Sequence, residues 1–340
     1  MTPMESAAPD THAASDPITV AAGDAAPASR PRLFRFALLT GAGFGACFLL
    51  AAAVNVGGRV TSSMDQRQII GTCLLFVLGT TYLLTLQYYQ RWFGPRQLRE
   101  LKDIAPAADF EDACARYQHL STGTAVVVLI AGLLFGLTQN RFVLEHLNEG
   151  GGVSSLDLMF LLGNGVLWAV VALVLVWKLR ISVALRRVGR GLELDVYHLE
   201  RARPIGVLAT IDVLAVAGSL AMMPLQALDA EFRLENYQWG LLIGIPSAIA
   251  LFVLPMLGAR ARIREVKRER LAELTAARAG IPREDITALE LHAAHQHRVQ
   301  SLPDWPFDVQ LLVRVLVYVV LPPLAWIAAA LVEQLLDRVT

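Results

Sequence analysis

An acidic side chain inside an apolar run is the first feature of this sequence that could do chemistry. Asp212 lies in IGVLATIDVLAVAGSLAMMPL, where a bare carboxylate is costly unless it faces a partner, a cavity or an ion path. By helical rise it sits about 10 Å inside the end of the run that follows Arg201 and Arg203. The expected counter-ion is Arg314, at the start of the last apolar run, whose long stem can snorkel to that depth. Two roles are open to such a pair: a lock between two helices, or a proton or ion pathway.

Asn164 is the next polar group in an apolar setting, and its GNG surroundings let a neighbouring helix approach and share a hydrogen bond. By rise it sits about 10 Å further out than Asp212, so the two are expected at separate sites. Three GxxxG spacings, Gly41 with Gly45, Gly132 with Gly136 and Gly240 with Gly244, suit close helix packing within one subunit or between two. In HAAHQH, His292 and His295 share a helix face at i and i+3. They are weak candidates for metal, since zinc takes three or four ligands; an exposed polar face is the alternative. No metal or other cofactor is expected.

The familiar catalytic patterns are missing. The sequence contains no GxxxxGK[ST], HExxH, GxSxG, GxGxxG or CxxC, so a non-enzymatic role is expected. Cys47, Cys73 and Cys114 fall singly and form no disulfide framework. The basic run from Arg260 to Arg270 is interrupted by Glu265 and Glu269 and carries no aromatic stacking platform, which argues against nucleic acid and for lipid contact.

The elements that must position these groups are long apolar stretches. Of 340 residues, 55% are apolar and 18% charged, and whole windows carry no charge, which is a membrane composition. Seven windows are long enough to cross a hydrocarbon core of about 30 Å. They are Phe36 to Val56, Ile69 to Tyr88, Ser121 to Thr138, Leu158 to Trp177, Ile205 to Leu228, Tyr237 to Ala259 and Leu311 to Val332. In lipid such segments must be helical, so that each backbone donor finds an internal acceptor. Residues 1–33, rich in Ala, Pro, Ser and Thr, read as a disordered tail followed by an uncleaved anchor. The seventh window is the weakest, since Arg314 opens it and Pro322 and Pro323 interrupt it. A re-entrant helix there would leave six spans and return the C-terminus to the inner side.

Orientation follows from Lys and Arg, which collect on the cytosolic side. The tail and the connections 89–120, 178–204 and 260–310 carry 24 of them, against five in the alternate connections. The N-terminus is therefore expected in the cytosol and the C-terminus in the periplasm. Tyr88, Tyr89, Trp92, Trp177, Tyr237 and Trp239 fall near span ends, as interfacial aromatics do. Past the sixth span, Ile263, Val266, Leu271 and Leu274 form an apolar stripe that ends at Gly280. Pro282, Glu284 and Asp285 then open a second helix carrying Ile286, Leu289 and Ala293, and the two are expected to pack as a cytosolic hairpin.

Three segments of the C-terminal half carry a resemblance: GRGLELDVYHLERARPIGVL (189–208), PMLGARARIREVKRERLAEL (255–274) and SLPDWPFDVQLLVRVLVYVVLPPLAW (301–326). They resemble a group of uncharacterised bacterial multi-pass inner-membrane proteins, in which an L-x-x-D stretch followed by proline enters one span and a WPFD-like segment enters the last. The resemblance implies a bacterial cytoplasmic membrane and supplies no activity, substrate or catalytic residue. The residues themselves suggest that Asp308 caps the last span while Trp305 and Phe307 lie at the interface.

The expected fold is thus all-α, a polytopic transmembrane bundle of about seven spans. It divides into a tail (1–33), a six-helix region (34–259), the hairpin and linker (260–310) and a last span (311–340). The expected role is assembly, sensing or partner docking, with membrane lipids, and another copy or a membrane protein, as the candidate partners. A small transporter or channel using Asp212 is the alternative.

Overall fold

The computed structural model describes residues 66–139, 155–227, 238–282 and 284–305, with isolated positions between 35 and 46 and at 313 and 317. The expected tail and most of the first and seventh spans lie outside the described residues. The order is α1 (Gln66–Arg99), α2 (Ala107–Gln118), α3 (Thr122–Thr138), α4 (Ser155–Arg190), a 3-10 turn (Leu199–Ala202), α5 (Arg203–Ala221), a second 3-10 turn (Met223–Ala227), α6 (Gln238–Arg278) and α7 (Ile286–Ser301). No strand occurs among the described residues.

Among the described residues, four stretches are long and apolar enough to cross a membrane: α1, α4, α5 with its flanking turns, and α6. A fifth is reached if α2 and α3, bent by 50° at their junction, count as one. The coarse expectation of an all-helical membrane architecture therefore holds. The finer limits differ, because charge ended the sequence windows whereas the helices continue. α1 runs on through Pro95 to Arg99, and α4 continues from Trp177 through Lys178 to Arg190. Much of what reads as a connection is thus helix. Ser121 marks the start of α3, its hydroxyl accepting from the Thr124 amide at 3.4 Å, and Asp285 caps α7 through the Ala288 amide at 3.0 Å.

Helix α4 is central. It packs on α3 at glycines: a Cβ on Gly132 would lie 2.7 Å from the Ala169 Cα, and one on Gly136 would lie 2.7 Å from the Gly165 Cα. Without side chains there, the two backbones approach closely enough to interlock. Helix α4 also crosses α6, where a Cβ on Gly189 would come within 2.7 Å of the Ala259 nitrogen and one on Gly258 would collide with the Arg186 carbonyl.

Packing is tightest towards one end. The largest buried cluster joins Leu98, Leu101 and Ile104 after α1, Tyr117 on α2, the Trp177 to Val188 part of α4, Leu192 to Leu199, the first half of α5, and Ala248 to Val266 on α6. This is the end rich in Lys and Arg. Towards the other end, Val127, Ile130 and Leu134 on α3 and Leu242 and Ile249 on α6 are exposed, as helices set in hydrocarbon require.

Beyond α6 the chain turns at Gly280, and the residues that follow α7 reach α6 again. The Lys267 ammonium closes the return. It donates to the Leu302 carbonyl at 2.7 Å and to Asp304 Oδ1 at 2.7 Å, and Arg264 reaches Asp304 Oδ2 at 3.1 Å. The Arg260 guanidinium lies 4.1 Å over the Trp305 ring. The hydrogen bond from Lys267, with a second from Arg264, holds the Asp304 carboxyl below its usual range.

Two predictions follow from this packing. Gly136→Val should lower thermal stability by about 1 to 3 kcal/mol through overpacking, whereas Gly123→Ala, with open space around it, should not; unfolding of the purified protein distinguishes them. Because its folded pKa is depressed, Asp304 contributes stability present above its unfolded value of about 3.9 and lost as pH falls through the folded value. Asp304→Asn should therefore speed tryptic cleavage after Arg298 severalfold at neutral pH. The wild type should show matching loosening of α7 to pepsin only below about pH 4.

Candidate functional site

The polar site is built where α1, α4 and α5 meet. Asp212 on α5 is 2% exposed although it stands in an apolar helix. Its ion-pair partner is Lys178 on α4, also 2% exposed, with Nζ donating to Oδ1 at 2.5 Å. The Gln90 amide on α1 donates to the same oxygen at 3.0 Å. Both donors converge on Oδ1, and Oδ2 has no hydrogen-bond partner among the described residues; Gln90 Oε1 is likewise buried without one. Trp177 lies beside the pair, its ring centroid 5.0 Å from Lys178 Nζ; its indole donates to the Arg116 carbonyl at 2.9 Å and it meets Tyr117 edge to face at 6.3 Å. Trp177 is 1% exposed and belongs to the core rather than to a lipid interface. Arg91 adds its guanidinium 5.6 Å over the same ring.

Above the pair lies a cavity of about 150 Å³. Its walls come from Leu75 to Leu86 on α1, Leu167 to Leu175 on α4, Ala215 to Met223 and Gly240 to Leu251, and its floor is Lys178 with Asp212. The walls are almost entirely carbon. Ser219 and Ser247 also face it, but their hydroxyls donate to the Ala215 and Ile243 carbonyls of their own helices, at 3.1 and 2.5 Å. The unmet polar demand is therefore concentrated at Asp212.

The other sequence candidates fall elsewhere. Asn164 donates to the Gly136 carbonyl at 2.9 Å, tying α4 to α3 at the second glycine of its GxxxG pair. Gly41 meets the Thr81 side chain on α1, and Gly45 is in ordinary contact with Val77. Gly244 packs against Leu220, with 2.7 Å left for a Cβ, and Gly240 packs under Met223. His292 is buried on α7 with Nε2 unpartnered, while His295 is exposed. Among the described residues no group of three or more His, Cys, Asp and Glu side chains gathers to hold a metal. Arg314, the counter-ion expected from the sequence, lies outside the described residues.

Comparison with protein-family models, curated proteins and solved structures found no match. The site is therefore read from its own geometry. Two of its members escaped the sequence reading, Lys178 and Gln90, because they stand one and two residues past the end of an apolar window and so fall in the connections 178–204 and 89–120. The signal that finds them is depth: an intramembrane acid needs a cation at its own level, and Lys178 is the first cation of α4 reached from the apolar side.

A carboxylate and an ammonium buried together repay desolvation only while both are present. Lys178→Met should cost about 3 to 5 kcal/mol by leaving Asp212 alone. The double variant Lys178→Met, Asp212→Leu should recover most of that loss in the same unfolding measurement. Equal damage from the single and double variants would show that the pair does not act as a unit.

Proposed function

We propose that this chain is a non-enzymatic multi-pass protein of a bacterial cytoplasmic membrane. It crosses about seven times, with the N-terminus in the cytosol, the C-terminus in the periplasm and a helical hairpin between the last two spans. The cation distribution supports that orientation, and the likeness of segments 189–208, 255–274 and 301–326 to bacterial inner-membrane proteins supports the address. The role is to hold an ordered cytosolic head for assembly, sensing or docking of a partner.

One observation carries this reading: the largest buried cluster among the described residues runs on past the ends of the apolar stretches, taking in Leu98 to Ile104, Ile181 to Leu199, Ile263, Val266 and Val299 at the basic end. Loops that merely connect spans need no such core, because the bilayer already orders the helices. On the outside of that head Tyr197 is 46% exposed amid Glu193, Asp195, His198, Glu200 and Arg201, an aromatic within mixed charge that suits a protein contact. A transporter or channel using Asp212 is the second reading, favoured by the cavity that reaches the ion pair.

In-cell photocrosslinking decides between them. A photoreactive residue at position 197 should give one discrete partner band, and one at the exposed position 134 should give lipid adducts alone. Absence of any protein adduct at 197 would defeat the docking reading. Proton-linked flux in proteoliposomes that is lost in a folded Asp212→Asn variant would establish transport instead.

A further inference from the structure

The cavity over Lys178 and Asp212 has the form of a binding site, and its chemistry specifies the guest. From Asp212 to Met222 along α5 it extends about 15 Å by helix rise, so a volume of about 150 Å³ leaves room for no more than one hydrocarbon chain in width. Its walls are Leu83, Leu167, Val171, Val216 and Ile243. At the floor, Asp212 Oδ2 is buried with no partner, because Lys178 and Gln90 both donate to Oδ1. An ammonium has three N–H donors, and the bond to Asp212 uses one of those on Lys178.

The geometry points to a single-chain neutral amphiphile that ends in a hydroxyl. The chain lies along the carbon walls, the hydroxyl donates to Asp212 Oδ2, and its oxygen accepts from Lys178. A charged head is disfavoured, because Lys178 and Asp212 already neutralise each other and a further charge would be buried without a counter-ion. A plain alkane fills the walls but leaves Oδ2 unmet. Water alone meets Oδ2 but leaves the carbon-lined space empty. A hydroxyl on a chain answers both demands. The site is independent of partner docking at the basic head, which lies on the other side of the ion pair.

The test uses the full chain in lipid nanodiscs, free of dodecyl detergents, with a diazirine-bearing analogue of 1-dodecanol as the probe. Saturable photolabel is expected on Val171, Val216 and Ile243. Unlabelled 1-dodecanol should displace it at concentrations about tenfold below those of dodecane or dodecanoate, the scale set by one unmet buried hydrogen bond. Ser247→Phe places a ring in the cavity and should reduce labelling at least about tenfold, while cavity filling leaves thermal stability unchanged or raised. Equal displacement by dodecane would remove the hydroxyl from the proposal, and stronger displacement by dodecanoate would make the head an anion. Label spread over the exposed Val127, Leu242 and Ile249, or no saturable label, would leave only water at Asp212 and overturn the site. If Ser247→Phe fails to fold, the competition series on the wild type decides alone.

Discussion

A single buried ion pair constrains the arrangement of three helices. Lys178 of α4 and Gln90 of α1 both donate to one oxygen of Asp212 on α5, and all three side chains are almost fully buried. Charge in such a place is tolerated only when it is matched at the same depth. That requirement fixes how far each helix stands along the bundle relative to the other two. It also explains why Trp177 is drawn into the core beside Lys178 rather than left at a lipid boundary.

On either side of the pair the protein is held together differently. Towards the apolar end, cohesion comes from close backbone approach, as at Gly132 and Gly136 of α3 against α4, with Asn164 adding a hydrogen bond where the helices touch. Several large apolar side chains there, Val127, Ile130 and Leu134 among them, face outward, where hydrocarbon suits them as well as a core would, while Phe76 of α1 and Phe160 of α4 pack edge to face inside. Towards the basic end the same helices close into a cluster of the kind found in water-soluble domains, with Leu98, Tyr117, Ile181, Leu192 and Ile263 fully or almost fully buried. The ion pair sits at the change from one regime to the other.

Hydropathy alone made the all-helical membrane class legible, because long uncharged runs admit no other backbone in lipid. Asp212 was legible for the same reason, as a charge where none should be. Its partner was not. Windows drawn by charge stop at the first cation, so Lys178 was placed outside the helix that carries it, and Arg314 was expected in its role. Gln90 was hidden in a similar way, since the second window ends at Tyr88 whereas α1 runs on to Arg99. The α4 and α6 crossing was also hidden, since Gly189 stands in polar sequence and Gly258 at the very end of an apolar window, and only their meeting in space shows what they do. A cavity, being a property of four helices at once, leaves no local mark in any of them.

The crossing at Gly258 divides α6 evenly. About 30 Å of helix lies on either side of it, from Gln238 to Gly258 and from Gly258 to Arg278. The arm beyond the crossing contains neither proline nor glycine from Ala259 to Arg278, so it is stiff, and it carries the Lys267 clasp and with it α7. A helix so stiff beyond Gly258 holds the Lys267 clasp and α7 at a set distance from the point where it touches the Arg186 carbonyl.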